Sequence, residues 1–388
     1  MGFVNEKSIS LEKLLEKFLL SSLAFFTVAG IVIMKKYRGI VEGKITIQKV
    51  AELAGTSVST VSRVLSNPWY PVADETREKV IQAVKNSGYE SSSGSRYSKK
   101  ALNQDIGVIL PNFSNPFYSQ VILGLEKEFK NSGFNLLVYN SLRDSNYEYI
   151  LLKSLQQKGI ERVIISSFMQ DSKRLKTFTE RGMKLIFLDQ KVADMENYIR
   201  FEYREGAYIA IKYLYELGHR NFGLAMTPLI RWSRREILLG FKSALEDLGL
   251  SYSEEMILSA NNDWESEIEE DLSYDIKSGM MKARELLRKA PQTTALLCVN
   301  DMVAFGLIQE LQRHDVAVPQ DVSVIGFDDI PFAAMFTPAL TTIRCSGIEI
   351  GQLAAQLLKQ QITGNIESGF DMKLAARLIE RKSTARAN

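Results

Sequence analysis

The sequence has few of the residues that build disulfide frameworks and metal centres. Its 388 residues include only two cysteines and two histidines. Cys298 and Cys345 both lie within apolar, strand-like runs, and they offer neither a disulfide framework nor the spacing of a metal site. We expect both to be buried as small hydrophobic residues in a reducing cytoplasm. The sequence predicts no metal and no cofactor.

Sequence signatures of catalysis are also missing. The chain has no Gly-rich phosphate loop of either standard type and no HExxH motif. Its two histidines, His219 and His314, have no serine or cysteine nucleophile elbow near them. We interpret His219, in the segment ELGHRNF, as a structural cap between a helix and a strand. The sequence therefore does not indicate an enzyme.

The charges are balanced over the whole chain but not along it. With 48 basic and 46 acidic side chains, the formal net charge is +2. Residues 44–102 carry nine basic and five acidic residues, whereas residues 103–388 carry 33 basic and 37 acidic residues. A small basic module on a mildly acidic body favours nucleic-acid contact at one end.

A long uncharged window lies near the N-terminus. Phe18–Met34 has 17 residues without a charge and is followed directly by KKYR. A membrane-spanning helix needs about 20 apolar residues, so the window is at the short limit. Three interpretations stay open: a membrane anchor with its C-terminal side in the cytoplasm, a true start at Met34, or a helix packed locally. A cleaved signal peptide is disfavoured, because the basic flank lies on the wrong side.

Residues 1–43 form an N-terminal extension, and the chain that follows it divides into three predicted regions. Residues 44–90 have the apolar spacing of short helices, and residues 91–105 include SSSGSRYSKK, which is typical of a linker or hinge. Residues 106–388 alternate apolar strands with amphipathic helices, which predicts parallel sheets covered on both faces and, by length, two α/β lobes. The predicted strands are DIGVIL, FNLLVY, RVIIS, KLIFLD, NFGLAM, TALLCVN and VSVIGF. Predicted helices include residues 118–131, 206–217 and 235–248.

Three short helices are predicted within residues 44–90. Thr46 and Ser57 are placed to cap the first and second of them, and Gly55 ends the first. The second helix has an apolar stripe that faces a small core: Val61, Val64 and Leu65. Two helices joined by a tight turn form the arrangement that places a second helix in a DNA major groove.

The opposite face of the second helix has mostly short and polar side chains. It carries Val58, Ser59, Ser62 and Arg63. Short side chains let this face approach base edges, and Arg63 can bond guanine O6 and N7 as a fork. We therefore expect this helix to read DNA.

Motifs in a fixed order along the chain resemble those of the lactose-repressor family of bacterial transcription regulators. They are TIQKVAELAGTSVSTVSRVLSNP, DETREKV, IGVILPNFSNPFY, ELGHRNFGL, NDMVAFG, VPQDVSVIGFDD, ALTTI and LIERKS. The resemblance covers about residues 45–384 and leaves out residues 1–43. It implies a helix-turn-helix domain followed by an effector-binding core with the fold of periplasmic sugar-binding proteins.

The resemblance also implies partners and DNA contacts. Two cores form a homodimer that brings two helix-turn-helix units to a palindromic operator on double-stranded DNA. Base contacts fall on Val58, Ser59 and Arg63. Positions at or near the DNA backbone are Thr46, Ser57, Thr60 and Ser62. In the hinge, the resemblance assigns DNA contacts to Arg96, Tyr97 and Ser98, but Ser98 stands where the family has a leucine, and a serine cannot unstack bases as an apolar wedge does.

A small molecule, a sugar or sugar derivative, is implied between the lobes as an allosteric effector. The positions that match the family's ligand contacts are Phe117, Tyr118, Asp189, Tyr274 and Asp301. The family's ligand arginine is Ile237 here, so either Arg234 or Arg235 replaces it or the ligand is less polar than a free sugar. Each aspartate has a second interpretation, as a cap of the helix that follows its strand.

Two other functions are consistent with parts of the sequence. A sugar-binding protein of transport or chemotaxis shares the predicted core, but residues 45–90 argue against it. A membrane-tethered regulator of the same family takes Phe18–Met34 as an anchor and would add a membrane contact to the DNA and effector partners.

Overall fold

The computed structural model of the protein describes five stretches of the chain. They are residues 46–66, 72–87, 104–259, 274–366 and 368–387. The chain forms two compact units that divide between Lys99 and Lys100, and each is described by itself. The apolar window Phe18–Met34 lies outside the described residues. None of the described helices is long and apolar enough to cross a membrane.

The first unit contains the three predicted helices. They are α1 (Ile47–Leu53), α2 (Val58–Ser66) and α3 (Asp74–Ser87). One fully buried valine from each helix, Val50, Val61 and Val80, forms the centre of a small core. Burial of these apolar side chains is the main force holding three short helices together, since isolated helices of this length are marginal.

The two predicted helix caps have different outcomes. The backbone N–H of Thr60 donates to Ser57 Oγ at 3.0 Å, so Ser57 caps the first turn of α2 as expected. Thr46 occupies the N-cap position of α1 as predicted, but its side chain makes no cap bond. Its backbone carbonyl instead accepts from the N–H groups of Lys49 and Val50, at 2.9 and 3.2 Å.

The second unit consists of two lobes, each built on a six-stranded sheet. In lobe 1 the strand order is β11-β5-β4-β3-β1-β2, and every pair is parallel. In lobe 2 the order is β12-β10-β9-β8-β6-β7, and only β12 is antiparallel. The strands are β1 (Asp105–Leu110), β2 (Asn135–Asn140), β3 (Arg162–Ile165), β4 (Lys184–Leu188), β5 (Tyr198–Phe201), β6 (Phe222–Met226), β7 (Ile257–Ser259), β8 (Ala295–Cys298), β9 (Ser323–Asp328), β10 (Thr341–Arg344), β11 (Asp371–Leu374) and β12 (Arg377–Ile379).

Helices connect the parallel strands and cover both sheets. They are α4 (Pro116–Phe129), α5 (Ser145–Gln157), α6 (Ser172–Thr179), α7 (Tyr203–Glu216), α8 (Trp232–Asp247), α9 (Tyr274–Lys289), α10 (Asp301–Arg313), α11 (Phe332–Met335) and α12 (Gly347–Thr363), with a short 3-10 turn at Glu254–Met256. All seven predicted strands and the parallel two-lobe class are confirmed. The three predicted helices start two or three residues earlier than expected, because residues outside the apolar periodicity, such as Asn115, begin their first turns.

The chain crosses between the lobes three times. Lobe 1 receives β1 to β5 and lobe 2 receives β6 to β10; α12 then returns to lobe 1, where it packs on α4, and β11 precedes the last strand of lobe 2. The contact of α4 with α12 is close, since a Cβ placed on Gly124 would lie 2.3 Å from the carbonyl oxygen of Ile348. Any larger side chain at Gly124 would push the two helices apart.

His219 has the structural role expected from its sequence context. It is buried after α7, with Nδ1 2.9 Å from Thr294 Oγ1 and Nε2 3.0 Å from the carbonyl oxygen of Ala385. Burial lowers the pKa of His219 below its usual range. The imidazole therefore holds the C-terminal segment against lobe 2.

Candidate functional site

The outward face of α2 carries the residues predicted to read bases. Val58, Ser59 and Arg63 are exposed, whereas the apolar stripe on the other side is turned into the core. Ser57 Oγ lies 2.8 Å from both Ser59 Oγ and Thr60 Oγ1. The hydroxyls thus hydrogen-bond to one another at the start of the helix, and their small size keeps the side chains on its outward face short. The predicted hinge contacts Arg96, Tyr97 and Ser98 lie outside the described residues.

A second candidate site lies in the cleft between the two lobes. Its walls come from loops and helix starts that follow the carboxyl ends of strands, the place where open parallel sheets bind ligands. Lobe 1 contributes Tyr118 and Phe168, and lobe 2 contributes Arg231, Arg234 and Tyr274. The cleft therefore combines aromatic rings with charged groups.

Arg231 is the central residue of this cleft. It immediately precedes α8 of lobe 2 and is buried, yet its side-chain hydrogen bonds to described residues all reach lobe 1. Nη1 donates to Tyr118 Oη at 2.6 Å, and Nη2 donates to Ser166 Oγ at 2.9 Å and to Asp189 Oδ2 at 3.1 Å. Its guanidinium also lies 5.0 Å from the ring centre of Phe168. A single side chain thus joins the two lobes across the cleft.

Asp189 is the buried counter-charge of Arg231. It follows β4 with a positive φ of 60°, and its Oδ1 accepts from the hydroxyl of Tyr203. Burial raises the pKa of Asp189, and the Arg231 guanidinium opposes that rise. The neighbouring Gln190 accepts from the N–H of Trp232 at 3.0 Å, so the end of β4 also holds the first turn of α8.

A second connection between the lobes closes the rim of the cleft. Arg143, between β2 and α5, donates to Asp275 Oδ2 of α9 at 3.0 Å, and both side chains are largely buried. The same guanidinium lies 4.2 Å from the ring centre of Tyr274, which is cation–π range. Nearby, Arg234 Nε donates to Thr227 Oγ1 at 3.1 Å.

The predicted effector residues fall into two groups. Tyr118, Arg234 and Tyr274 line the cavity, and Asp189 lies directly behind Arg231. The other three are not on the cavity wall. They are Phe117, which packs edge-on against Tyr118 and Phe201; Arg235, which is exposed and bonds Gln170 at 3.4 Å; and Asp301, which accepts from Thr342 Oγ1 at 2.5 Å and from the N–H of Ile330 at 2.9 Å. Their contact with an effector stays a prediction.

Several residues of the cavity wall were not predicted from the sequence. They are Asn115, Arg143, Phe168, Arg231, Asp275 and Asn300. The family motif points to the positions around Ile237, which is fully buried, whereas Arg231 lies at the helix start. Its position between a buried strand and a helix was a usable signal, because residues there face the ligand side of a parallel sheet. The helix-cap alternative fits Asn300 rather than Asp301, since Asn300 Oδ1 accepts from the N–H of Val303 at 2.7 Å.

Two family models match separate parts of the chain. Residues 46–92 match the bacterial regulatory proteins of the lacI family, and residues 211–384 match the periplasmic binding protein-like domain. The HTH-type transcriptional repressor PurR of Proteus mirabilis (strain HI4320) is 30% identical over 346 residues, which cover 88% of this chain and 97% of that protein. The chain belongs to the lacI family.

Solved structures of lacI-family proteins have the same architecture. A LacI family transcriptional regulator from Enterococcus faecium with bound ribose is 28% identical, with a TM-score of 0.63, and the match covers 73% of this chain and 100% of that one. A lac repressor dimer bound to operator and the anti-inducer ONPF shares the fold with a TM-score of 0.69 at 24% identity, over 88% of this chain and 100% of that one.

Membership of the lacI family decides between the functions considered from the sequence. The chain is a ligand-controlled DNA-binding repressor, as expected, and it is not an enzyme, because the family consists of transcriptional regulators. The alternative of a transport or chemotaxis protein is wrong for the same reason. The comparisons give no support to a membrane contact.

Proposed function

We propose that this lacI-family protein binds a palindromic operator as a homodimer, and that a sugar or sugar derivative held between its lobes controls the operator affinity. The observation that carries the proposal is the Arg231 bridge, which joins lobe 2 to three groups of lobe 1 inside a cleft lined by aromatic rings. A ligand that enters this cleft must alter the bonds that hold the lobes together. The relative position of the lobes then depends on the ligand.

The composition of the cleft supports a ring-shaped polar ligand. Tyr118, Phe168 and Tyr274 offer flat apolar faces, while Arg231 and Asn300 offer hydrogen bonds. Sugars have this dual character, with apolar C–H faces and hydroxyl edges. The ribose named for the Enterococcus faecium relative is of the same chemical class.

At the other unit, the proposal assigns operator reading to α2. Val58, Ser59 and Arg63 face base edges in the major groove. Hydroxyls at or near the helix start lie close to the DNA backbone, where they fix the position of the helix without selecting sequence. They are Ser57, Thr60 and Ser62, with Thr46 at the start of α1. Operator DNA lies in the cytoplasm, so the proposal places this domain there.

An apolar patch on lobe 2 supports the homodimer. Phe332 and Met335 of α11 are 52% and 76% exposed, and next to them the rings of Phe305 and Phe336 stack at 4.5 Å. Large exposed apolar side chains grouped in this way are typical of protein interfaces. Replacement of Met335 by aspartate should shift the dimer towards monomer in analytical ultracentrifugation and weaken operator binding together with it.

The effector assignment is tested with the full chain in two steps. A thermal-shift screen of sugars, sugar phosphates and purines should find a compound that raises Tm, because a ligand of the native state stabilises it. The same compound should change operator affinity by about fivefold or more. Arg231→Gln should abolish both effects, and Lys242→Gln, on the outer side of α8, should abolish neither. A compound that raises Tm but leaves operator affinity unchanged would show that the cleft does not control DNA binding.

A further inference from the structure

The described wall of the cavity between the lobes has an excess of positive charge. Among the described residues, three arginines, Arg143, Arg231 and Arg234, reach this wall, together with one carboxylate, Asp275. A second carboxylate, Asp189, lies behind Arg231. Guanidinium groups donate hydrogen bonds and accept none. The cavity is therefore suited to a ligand with several acceptor atoms.

Arg234 differs from the other two arginines in its pairing. Arg143 pairs with Asp275 at 3.0 Å and Arg231 pairs with Asp189 at 3.1 Å. Within the described residues, Arg234 makes no ion pair, and its Nε donates to the neutral hydroxyl of Thr227. Its two Nη groups have no hydrogen-bond partner among those residues. The half-buried guanidinium of Arg234 on the cavity wall thus lacks a carboxylate partner among the described residues.

The carboxyl groups of Asp301 and Asp328, behind the cavity, are poor sources of negative charge to balance Arg234. Burial raises the pKa of Asp328 well above its usual range, and Asp301 raises it further, although Arg234 is near enough to oppose the rise. Burial also raises the pKa of Asp301 to about 8. At pH 7, Asp301 is then mostly protonated, and burial disfavours the charged form of Asp328. Asp189 also attracts Arg234, but it is already paired with Arg231. Arg234 therefore has no carboxylate of its own within ion-pair distance among the described residues.

Arg231 adds a second unsatisfied donor at the same wall. Both of its Nη groups are bonded, but its buried Nε–H has no acceptor among the described residues. Buried donors are rarely left unpaired in folded proteins. Arg231 and Arg234 lie three residues apart at the start of α8, so both donors belong to the same turn of the helix.

We propose that the effector carries an anionic group, a carboxylate or a phosphate, and that Arg234 receives this group at the lobe 2 wall. The inference rests on the proposed function, since it names the chemical class of the ligand in the same cleft. Acidic or phosphorylated sugars fit it. A planar guanidinium binds both groups through two parallel hydrogen bonds, which are stronger than bonds between neutral partners. A neutral sugar leaves Arg234 uncompensated.

The test compares neutral sugars with their charged derivatives on the full chain. Isothermal titration calorimetry would be run with three sets: glucose, glucuronate and glucose 6-phosphate; galactose, galacturonate and galactose 6-phosphate; ribose and ribose 5-phosphate. At least one acid or phosphate should bind about tenfold or more tightly than its neutral parent. The preferred derivative distinguishes a carboxylate from a phosphate.

Two variants locate the charged group. Arg234→Gln should weaken binding of the charged derivative about ten- to a hundredfold and change binding of the neutral parent less than about twofold. Lys242→Gln also removes one positive charge from α8, but 39% of this side chain is exposed beside Glu254, and it should leave both affinities unchanged.

The inference is overturned if no charged derivative in the three sets binds more tightly than its parent. It is also overturned if Arg234→Gln weakens parent and derivative equally. A neutral sugar that binds, changes operator affinity and fails to bind Arg231→Gln would leave the proposed function intact and remove only the anionic group.

Discussion

Arg231 shows how much of the cleft depends on one side chain. Its guanidinium is bonded to Tyr118, Ser166 and Asp189, all in the opposite lobe. Without it, the buried carboxylate of Asp189 would retain the hydroxyl of Tyr203 and lose its counter-charge. Removing one member of a buried ion pair leaves the other uncompensated, which is costly. At the residue scale, one guanidinium therefore joins the two lobes at the place where we propose that the ligand binds.

Arg63 is the corresponding residue of the α2 face that we propose to read DNA. Arg63→Ala should lower the preference for operator over unrelated DNA by about 1–3 kcal/mol, the value of a bidentate base contact. Binding to unrelated DNA should persist with a steep salt dependence, because phosphate contacts remain. Fluorescence anisotropy with operator and scrambled duplexes at several salt concentrations measures both quantities.

The control for Arg63 is a basic residue of α1. Lys49 is exposed and pairs with Glu52 at 2.8 Å. Lys49→Gln should change binding to all sequences by the same factor. If Arg63→Ala behaved like this control, Arg63 would contact phosphate and not bases.

The start of α10 shows how a buried carboxyl organises several elements. Asp301 is the first residue of the helix, and it accepts hydrogen bonds from the N–H of Ile330, before α11, and from Thr342 Oγ1 of β10. Burial raises its pKa to about 8. At the scale of elements, one protonated side chain joins a helix, a loop and a strand.

This raised pKa predicts how stability depends on pH. Between an unfolded pKa near 3.8 and a folded pKa of about 8, the native state binds the proton more strongly, so stability falls as pH rises through this window. The slope from Asp301 is about 1.4 kcal/mol per pH unit. Asp301→Asn keeps a donor and an acceptor without the titration, and it should lose less stability from pH 5 to pH 8. Urea unfolding at each pH measures the difference.

An exposed aspartate provides the matched control. Asp194 lies at the surface near Lys176, and its side chain is 69% exposed. Asp194→Asn should leave the pH slope of the wild type unchanged. Equal slopes for Asp301→Asn and the wild type would show that Asp301 is ionised in the native state.

Elements differ in how well the sequence predicts them. The seven predicted strands are largely apolar because helices cover both faces of their sheets. Five strands of three or four residues were not predicted: β5, β7, β10, β11 and β12. Of these, the edge strands β11 and β12 are also partly exposed, and they pair with strands far away in sequence. The cleft follows the same rule: Tyr118 and Tyr274 were found within local motifs, whereas Arg143 and Arg231 acquire their roles only when the lobes meet.

For the whole molecule, the relevant question is what keeps the lobes closed. Within the described residues, two ion pairs cross the cleft: Arg231 with Asp189, deep inside, and Arg143 with Asp275, at the rim. Asp275→Asn should lower the free energy of unfolding by about 1–2 kcal/mol, since it leaves Arg143 without a counter-charge. Without ligand, the two lobes of this variant should also open further, which small-angle scattering would detect as a larger radius of gyration.

A double-mutant cycle isolates the rim pair. Arg143→Gln, Asp275→Asn and the double variant give a coupling free energy from urea unfolding. The pair of Lys289 with Glu285, four residues apart and 2.6 Å from each other on α9, serves as reference and should show only a few tenths of a kcal/mol. A rim coupling no larger than this reference would contradict a role in closure.

The interleaving of the two sheets also affects the order in which a ribosome can complete them. β11 is the edge strand of lobe 1 next to β5, yet its residues, Asp371–Leu374, are synthesised after strands β6 to β10 of lobe 2. α12, which packs on α4, also emerges late. Domains generally fold as units during synthesis, but lobe 1 must wait, with α4 and the edge of β5 uncovered, until lobe 2 has been made. Nascent chains that stop before residue 371 expose a β edge on the half that was translated first.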